Sequence, residues 1–149
     1  MSESGNSSSG PSRRTILILE DNADRIRGFE AAVTTVGHGL FVRLWCDAPT
    51  MISECEACFK DACLISLDHD SIAQSGVPRD PGTGLEVAEF LARRKPICPV
   101  ILHTSNNEGR WSMHNELRFA GWNVEIVGPL EPDWIHRSWM PRARSLAGL

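Results

Sequence analysis

The sequence predicts an α/β protein in three layers, in which a five-stranded parallel sheet carries helices on both faces. Five short apolar runs alternate along the chain with segments whose apolar residues recur at three- and four-residue steps, the spacing of one helix face. Each run is apolar along nearly its whole length, which is typical of parallel strands that are buried on both sides. We therefore expect five strand–helix units and the strand order 2-1-3-4-5 that is common in this class.

The first three units follow from the patterns between residues 15 and 96. TILILEDN is the first strand, and apolar residues from Ile26 to Val36 then line a helix that the GHG at 37–39 would end. LFVRLW is the second strand, and Asp47 is placed to cap a helix with apolar residues from Met51 to Phe59. ACLISLD is the third strand, and GTGLEVAEFLARRK is a helix closed by Pro96.

The last two units complete the sheet. PVILHTSN is the fourth strand, and the helix after it places Met113 and Leu117 inward and ends at Gly121. WNVEIVGPL and residues 132–146 supply the fifth strand and helix. Pro141 is expected to limit any helix there to either side of it, because proline lacks the backbone N–H that a helix interior needs.

The composition limits the class of function. Residues 14–147 are predicted to form a single domain, and the Ser/Gly-rich residues 1–13 a flexible leader. The net charge of −4 argues against binding of duplex DNA, and no apolar run approaches the roughly 20 residues of a membrane span, so no membrane partner is expected. Five cysteines, an odd number, indicate free thiols in a reducing compartment, and we expect a cytoplasmic protein.

Polar side chains are concentrated where three of the strands end. In parallel sheets of this class, ligands bind outside the carboxyl ends of the strands, and the first, third and fourth strands are neighbours in the expected order. Their ends carry nine polar residues: Glu20 and Asp21; Asp68, His69 and Asp70; and His103, Thr104, Ser105 and Asn106. We expect all nine to meet at one edge of the sheet.

The acidic residues of this group predict a metal site. Glu20, Asp21 and Asp68 would bring three carboxylates together, and their mutual repulsion calls for a cation. Ligands that are all oxygen favour Mg²⁺ or Mn²⁺, which commonly also bind a phosphate oxygen. Thr104 and Ser105 are then candidates to hydrogen-bond that phosphate. The alternative is that the acids only cap the helices that follow them.

Two histidines stand beside the acids. His69 and His103 follow neighbouring strands, and a pair of imidazoles can serve as acid and base near neutral pH or can bind a transition metal. A lone histidine in such a place is more often structural. Two of them on one edge favour a catalytic function.

The strand ends resemble those of receiver domains of bacterial response regulators, over about residues 14–147. ILILEDN is similar to the receiver's first strand with its acidic pair. LISLD places Asp68 where that family carries its phosphoacceptor aspartate, and PVILHTS places Thr104 at the hydroxyl position that senses the phosphoryl group. The resemblance implies the receiver, or flavodoxin-like, fold and a metal-binding role for Glu20 and Asp21.

Departures from the ordinary receiver point to a narrower relative. Gly128 stands before Pro129 where receivers carry a lysine at the end of the fifth strand. LDHDS and ILHTSNNEGRW resemble the cyclic-phosphate processing receiver domain, which has a D-H-D and an H-[ST]-x-N signature. Asp68, His69 and Asp70 match the first signature, and His103, Thr104 and Asn106 match the second. This resemblance implies action on, or recognition of, cyclic phosphates of nucleotides or RNA ends.

These observations predict a metal-assisted cyclic phosphodiesterase as one function. His103 and His69 would exchange protons with the attacking water and the departing ribose oxygen, in either order. The predicted catalytic residues are Asp68, His69 and His103, the phosphate-binding residues are Thr104, Ser105, Asn106 and Asp70, and the metal ligands are Glu20, Asp21 and Asp68, with Mg²⁺ or Mn²⁺ as cofactor.

Two other functions stay open. Loss of the lysine favours a degenerate receiver that serves as a phosphorelay or other non-enzymatic signalling module. A protein-interaction function would use the aromatic and basic residues of EPDWIHRSWMPRARSL, among them Trp134, Trp139 and Arg142, as a surface for a homodimer or a signalling partner. The alternative for this segment is that both tryptophans pack onto the sheet.

Overall fold

The computed structural model of the chain describes residues 14–37, 39–70, 80–129 and 131–149. The leader expected at residues 1–13 lies outside the described residues. No helix in the described part of the chain has both the length and the apolar character needed to cross a bilayer.

A single five-stranded sheet forms the centre of the described structure. All neighbouring strands are parallel, and their order is β2-β1-β3-β4-β5, which confirms the predicted order. The strands are β1 (Thr15–Leu19), β2 (Phe41–Trp45), β3 (Ala62–Leu67), β4 (Val100–Leu102) and β5 (Val124–Ile126).

Helices follow each strand, as the sequence patterns predict. They are α1 (Ala23–Thr34), α2 (Ala48–Glu54), α3 (Gly84–Ala92), α4 (Asn107–Phe119) and α5 (Met140–Ala147); a 3₁₀ helix (Cys55–Asp61) extends α2 and a π-helical turn (Ile135–Trp139) precedes α5. Asp47 caps α2 as expected, since its side chain accepts a hydrogen bond from the Thr50 N–H at 2.8 Å. The α/β fold class with helices around a parallel sheet is thus confirmed.

Helices cover the sheet on two sides. On one side, which we call the α1/α5 face, α1, the π-helical turn and α5 pack on Ile16, Ile18 and Ile101. On the other, the α2–α4 face, α2, α3 and α4 pack on Leu17 and Leu19 and their neighbours. Because successive strand residues point to opposite faces, both sets must be apolar, which explains why the strands show no alternation in sequence.

The C-terminal segment decides between the two alternatives for its tryptophans and differs from one expectation. Trp134 and Trp139 are buried on the α1/α5 face, where both rings make edge-to-face contacts with Phe29, so the alternative that they pack onto the sheet is confirmed and they do not form an aromatic surface. The helical segment also runs through Pro141 instead of stopping beside it. Pro141 lies in the first turn of α5, where its missing N–H costs little, and the π-helical turn before it ends with the Met140 N–H bonded to the Ile135 carbonyl.

Candidate functional site

Three carboxylates meet at the carboxyl ends of β1 and β3. Glu20 and Asp68 are buried and Asp21 is half-buried, and one oxygen of each lies within 4.8 Å of the others. Oxygen ligands at this spacing suit a hard divalent cation, so the cluster can hold a metal ion. Helix capping does not account for it, because the cap of α1 is the side chain of Asn22, which accepts from the Arg25 N–H.

A cleft of about 170 Å³ opens over this cluster. Besides the three acids it is lined by Asn22, Arg25, Asp70 and Ser105. The cleft therefore joins the ends of β1, β3 and β4, and five of the nine predicted polar residues line it: Glu20, Asp21, Asp68, Asp70 and Ser105. Its size is enough for a phosphate group together with a metal ion.

Asp68 is held by the residues that follow β3 and β4. Its Oδ1 accepts the His69 N–H at 2.7 Å, and the Thr104 side chain also hydrogen-bonds it. Burial raises the pKa of Asp68, and the nearby carboxylate of Glu20 adds to the rise against the opposing charge of His103. A cation in the cleft would relieve this cost.

His69 lies in a small polar group with Asp70, which lines the cleft, and Asn106. Its Nδ1 is 2.8 Å from Asp70 Oδ1, and the Asn106 amide donates to the same carboxylate oxygen at 3.2 Å. The ring packs against Gly109 at the start of α4, where a larger residue would overlap it. With Nδ1 turned to a carboxylate, Nε2 is the nitrogen that is left to exchange a proton.

His103 is fully buried behind the acids and does not reach the cleft. Its Nε2 is 3.0 Å from Glu20 Oε1, and its Nδ1 is 2.7 Å from Ser66 Oγ. Ser66 Oγ also accepts the Trp139 indole N–H at 2.9 Å. Nε2 is thus the ring nitrogen that faces Glu20 and donates to it.

The buried chain of hydrogen bonds sets the charge state of Glu20. Burial alone would raise the pKa of Glu20, but the hydrogen bond and the charge of His103, the N–H of Asn22 and the Arg25 guanidinium together hold the pKa below its usual range. Glu20 is thus kept as a carboxylate at the floor of the cleft, ready to bind a cation.

The two histidines lie on opposite faces of the sheet. His103 follows Ile101 by two residues and continues on the α1/α5 face, where it contacts Phe29. His69 follows Leu67 by two residues and continues on the α2–α4 face, against α4. The expectation that both imidazoles open on one mouth is therefore not met, because the pleat of the sheet separates them.

The family follows from this architecture together with a sequence comparison. The sequence profile described as "Cyclic-phosphate processing Receiver domain" matches residues 15–119 of the chain. The chain belongs to this family. Comparison with curated proteins gives no match.

Solved response regulators share the fold of this receiver domain. A receiver domain from Rhodospirillum rubrum is 16% identical, with a TM-score of 0.64 over 91% of this chain and 94% of that chain. A chain of the CheX-CheY-BeF3-Mg+2 complex from Borrelia burgdorferi is 15% identical, with a TM-score of 0.65 over 94% and 92%. The Mn(2+)-bound form of response regulator Rcp1 is 17% identical, with a TM-score of 0.59 over 85% and 94%. At these identities the likeness establishes the fold alone.

Sequence reasoning missed three residues of the receiver site. Ser66 is a polar residue in an otherwise apolar strand, and that anomaly was a readable signal. Gly109 leaves room for the His69 ring, and Arg25 reaches over the acids from the first turn of α1. Neither of these gives a signal in the sequence, because each acts through a neighbour that is distant along the chain.

Proposed function

We propose that this receiver domain binds the cyclic phosphate of a nucleotide or of an RNA end in the cleft and opens the ring by hydrolysis. One observation supports it above the others: Asp70 lines the acidic cleft and also hydrogen-bonds His69 Nδ1, so an acid–base group stands beside the space that the proposed metal ligands surround. The membership of residues 15–119 in the cyclic-phosphate processing family supports the substrate class.

The proposed metal is Mg²⁺ or Mn²⁺, held by Glu20, Asp21 and Asp68. The three carboxylates are the ligand set of a hard cation. The pKa of Asp68 is raised because its negative charge is buried without enough positive charge nearby to offset the cost. When bound, such a cation neutralises phosphate charge and polarises the phosphoryl oxygens.

His69 is the proposed acid–base group. Asp70 fixes the ring through Nδ1, so that Nε2 takes a proton from the water that attacks phosphorus. The bond from phosphorus to one ribose oxygen then breaks, and the proton passes from Nε2 to that oxygen. The histidine ends the turnover neutral, and the product is a phosphomonoester with a free ribose hydroxyl.

His103 is proposed as a positioning residue in place of the second acid–base group expected from the sequence. The His103 ring has no exposed surface, and both of its nitrogens are hydrogen-bonded, to Ser66 and Glu20. It therefore has no path to water or substrate. It serves to hold Glu20 ionised and correctly turned toward the metal.

Of the remaining polar residues, Ser105 is proposed to hold the phosphate, and Thr104 and Asn106 to position its neighbours. Ser105 is exposed and lines the cleft, which leaves its hydroxyl free to meet phosphoryl oxygens. Asn106 acts through His69 and Asp70, and Thr104, which is buried, orients Asp68 and accepts the Asn106 N–H at 3.1 Å. Thr104, which is buried, and Asn106, which is hydrogen-bonded to its neighbours, thus position the groups that touch substrate.

Turnover of a 2′,3′-cyclic mononucleotide by the purified protein tests this function. We expect hydrolysis, followed by ³¹P NMR, that requires Mg²⁺ or Mn²⁺ and falls by roughly 10²- to 10⁴-fold in His69→Gln. His136, an exposed histidine that does not line the cleft, supplies the matched control His136→Gln, which should keep the full rate. Equal rates in wild type and His69→Gln would rule out the assigned role, and no turnover in any metal would rule out the reaction.

A non-enzymatic receiver is the second candidate. Asp68 stands beside an acidic pair and a threonine hydroxyl at the end of the central strand, the arrangement that a phosphoacceptor aspartate uses. Incubation with acetyl phosphate and Mg²⁺, followed by intact mass measurement, distinguishes the two functions. A phosphoryl adduct that Asp68→Asn abolishes favours signalling through a protein partner, and an unchanged mass favours the enzyme.

A further inference from the structure

Arg25 is the basic side chain that lines the acidic cleft within the described part of the chain. It projects from the first turn of α1, and its Nη1 lies 3.7 Å from Glu20 Oε1 and 3.7 Å from Asp68 Oδ2. One guanidinium nitrogen is therefore shared between two of the three carboxylates that form the proposed metal site. The guanidinium carbon is 5.6 Å from the centre of the Trp134 ring, which supports the side chain from below.

The geometry leaves Arg25 free to bind something else. Both distances to the carboxylates exceed hydrogen-bond length, and the side chain makes no hydrogen bond to any described residue. Its side chain is 29% exposed, so it borders the open cleft and is not locked in the core. The guanidinium keeps several N–H donors for an incoming anion.

The charge of the cleft requires such a group. Glu20, Asp21, Asp68 and Asp70 line it, and a divalent cation offsets only part of this negative charge. A phosphate would add further negative charge and would be repelled unless another cation met it. Gly128 follows β5 where receivers carry a lysine, so that position supplies no charge.

We propose that Arg25 is an internal counter-ion of the acidic cluster that yields Glu20 and Asp68 to the divalent cation and then binds the phosphate oxygens. The proposal rests on the proposed metal site, and it assigns the phosphate-binding cation of that site. Arg25 thus competes with the metal and cooperates with the phosphate, two effects of opposite sign.

Arg25→Gln tests both effects with Mg²⁺ and inorganic phosphate as the probes. By isothermal titration calorimetry we expect Mg²⁺ to bind roughly three- to tenfold more tightly in the variant, because a competing positive charge is gone. Phosphate binding to the Mg²⁺-loaded protein should weaken by roughly tenfold or more. Arg25→Lys, which keeps the charge, should retain wild-type Mg²⁺ affinity and part of the phosphate affinity.

Arg27 supplies the matched control. It lies on the same helix, is more exposed, and pairs with Asp24 away from the cleft. Arg27→Gln removes the same charge and should change neither affinity, which separates a local contact from a general change in protein charge. Far-UV circular dichroism and thermal unfolding of each variant establish that it is folded.

A spectroscopic signal reports the movement of the Arg25 guanidinium away from the Trp134 ring. With 5-fluorotryptophan incorporated, the ¹⁹F resonance of Trp134, assigned from Trp134→Phe, should shift when Mg²⁺ is added to wild type. The shift should be absent in Arg25→Gln, because no guanidinium then leaves the ring.

The results separate this inference from the proposed function. Unchanged affinities in Arg25→Gln, or a loss of both, would overturn the role of Arg25 even if cyclic phosphates are hydrolysed. Opposite changes in the two affinities support that role even if no cyclic phosphate is turned over.

Discussion

His103 gives the sharpest test of how the site is built, because two substitutions separate a base from a positioning residue. His103→Gln can keep an N–H donor directed at Glu20, whereas His103→Leu keeps apolar volume and removes the donor. If His103 only positions Glu20 through the 3.0 Å hydrogen bond, the glutamine variant should keep metal binding and turnover, and the leucine variant should lose much of both.

The magnitude follows from what Glu20 retains. In His103→Leu the buried Glu20 carboxylate still accepts the Asn22 N–H at 3.1 Å and has the Arg25 guanidinium at 3.7 Å. It therefore loses one of its partners and keeps the others. A buried polar group that loses one partner costs about 1–3 kcal/mol, and the Ser66 hydroxyl also loses its imidazole partner. We expect a loss of about 2–4 kcal/mol, which lowers Tm by about 5–12 °C for a chain of this size. Metal affinity should fall by about 10- to 100-fold.

The pH dependence has a definite sign. The pKa of Glu20 is lowered in the folded protein, so the ionised form contributes stability at neutral pH, and this contribution is lost as the pH falls through the folded pKa. The stability gap between wild type and His103→Leu should therefore be full at neutral pH and should close on acidification.

Calorimetric Mg²⁺ titration, thermal unfolding and turnover measured on both variants decide the point. We expect His103→Gln to remain within about 1 kcal/mol of wild type in stability and within tenfold in metal affinity and rate. A glutamine variant that binds Mg²⁺ normally but has lost all turnover would refute the positioning role. It would show that His103 itself acts as an acid or base in the reaction.

Two further predictions concern the residues around His69. Asp68→Asn should raise Tm at neutral pH, because burial raises the pKa of Asp68 and the folded state therefore disfavours its charged form. This gain in Tm should vanish on acidification, when the wild-type carboxyl is protonated. A variant with a lower Tm than wild type at neutral pH would contradict the prediction. Gly109→Ala would bring a methyl group within 2.7 Å of His69 Nε2 and would displace the ring from Asp70. Turnover should then fall by roughly 10²-fold for a shift of about 1 Å, while Tm changes little. Unchanged turnover would show that the placement of His69 is unimportant.

The sequence determined the secondary structure and the neighbourhood of the acids. Each strand is a short apolar run, and each helix has a cap or a stop residue that local chemistry specifies, as Asp47 shows. Because Glu20, Asp21 and Asp68 directly follow strands that are neighbours in the common order, their meeting was predictable without coordinates.

The faces of the sheet could not be assigned from the sequence. Strands buried on both sides are apolar at every position, so no alternation shows which residues turn toward α1 and α5. The observed register pairs Leu67 with Leu102, and continuing it aligns Asp68 with His103. His103 thereby falls behind the acids and His69 falls on the opposite face.

The sequence by itself determined which chemical groups reach the edge of the sheet, because that depends on where each strand ends. Only the tertiary structure decided which group faces solvent and which is enclosed, because this depends on strand register and on the helices that cover each face. The reach of Arg25 to Glu20 and Asp68 belongs to the second kind, since it joins α1 to the ends of two strands.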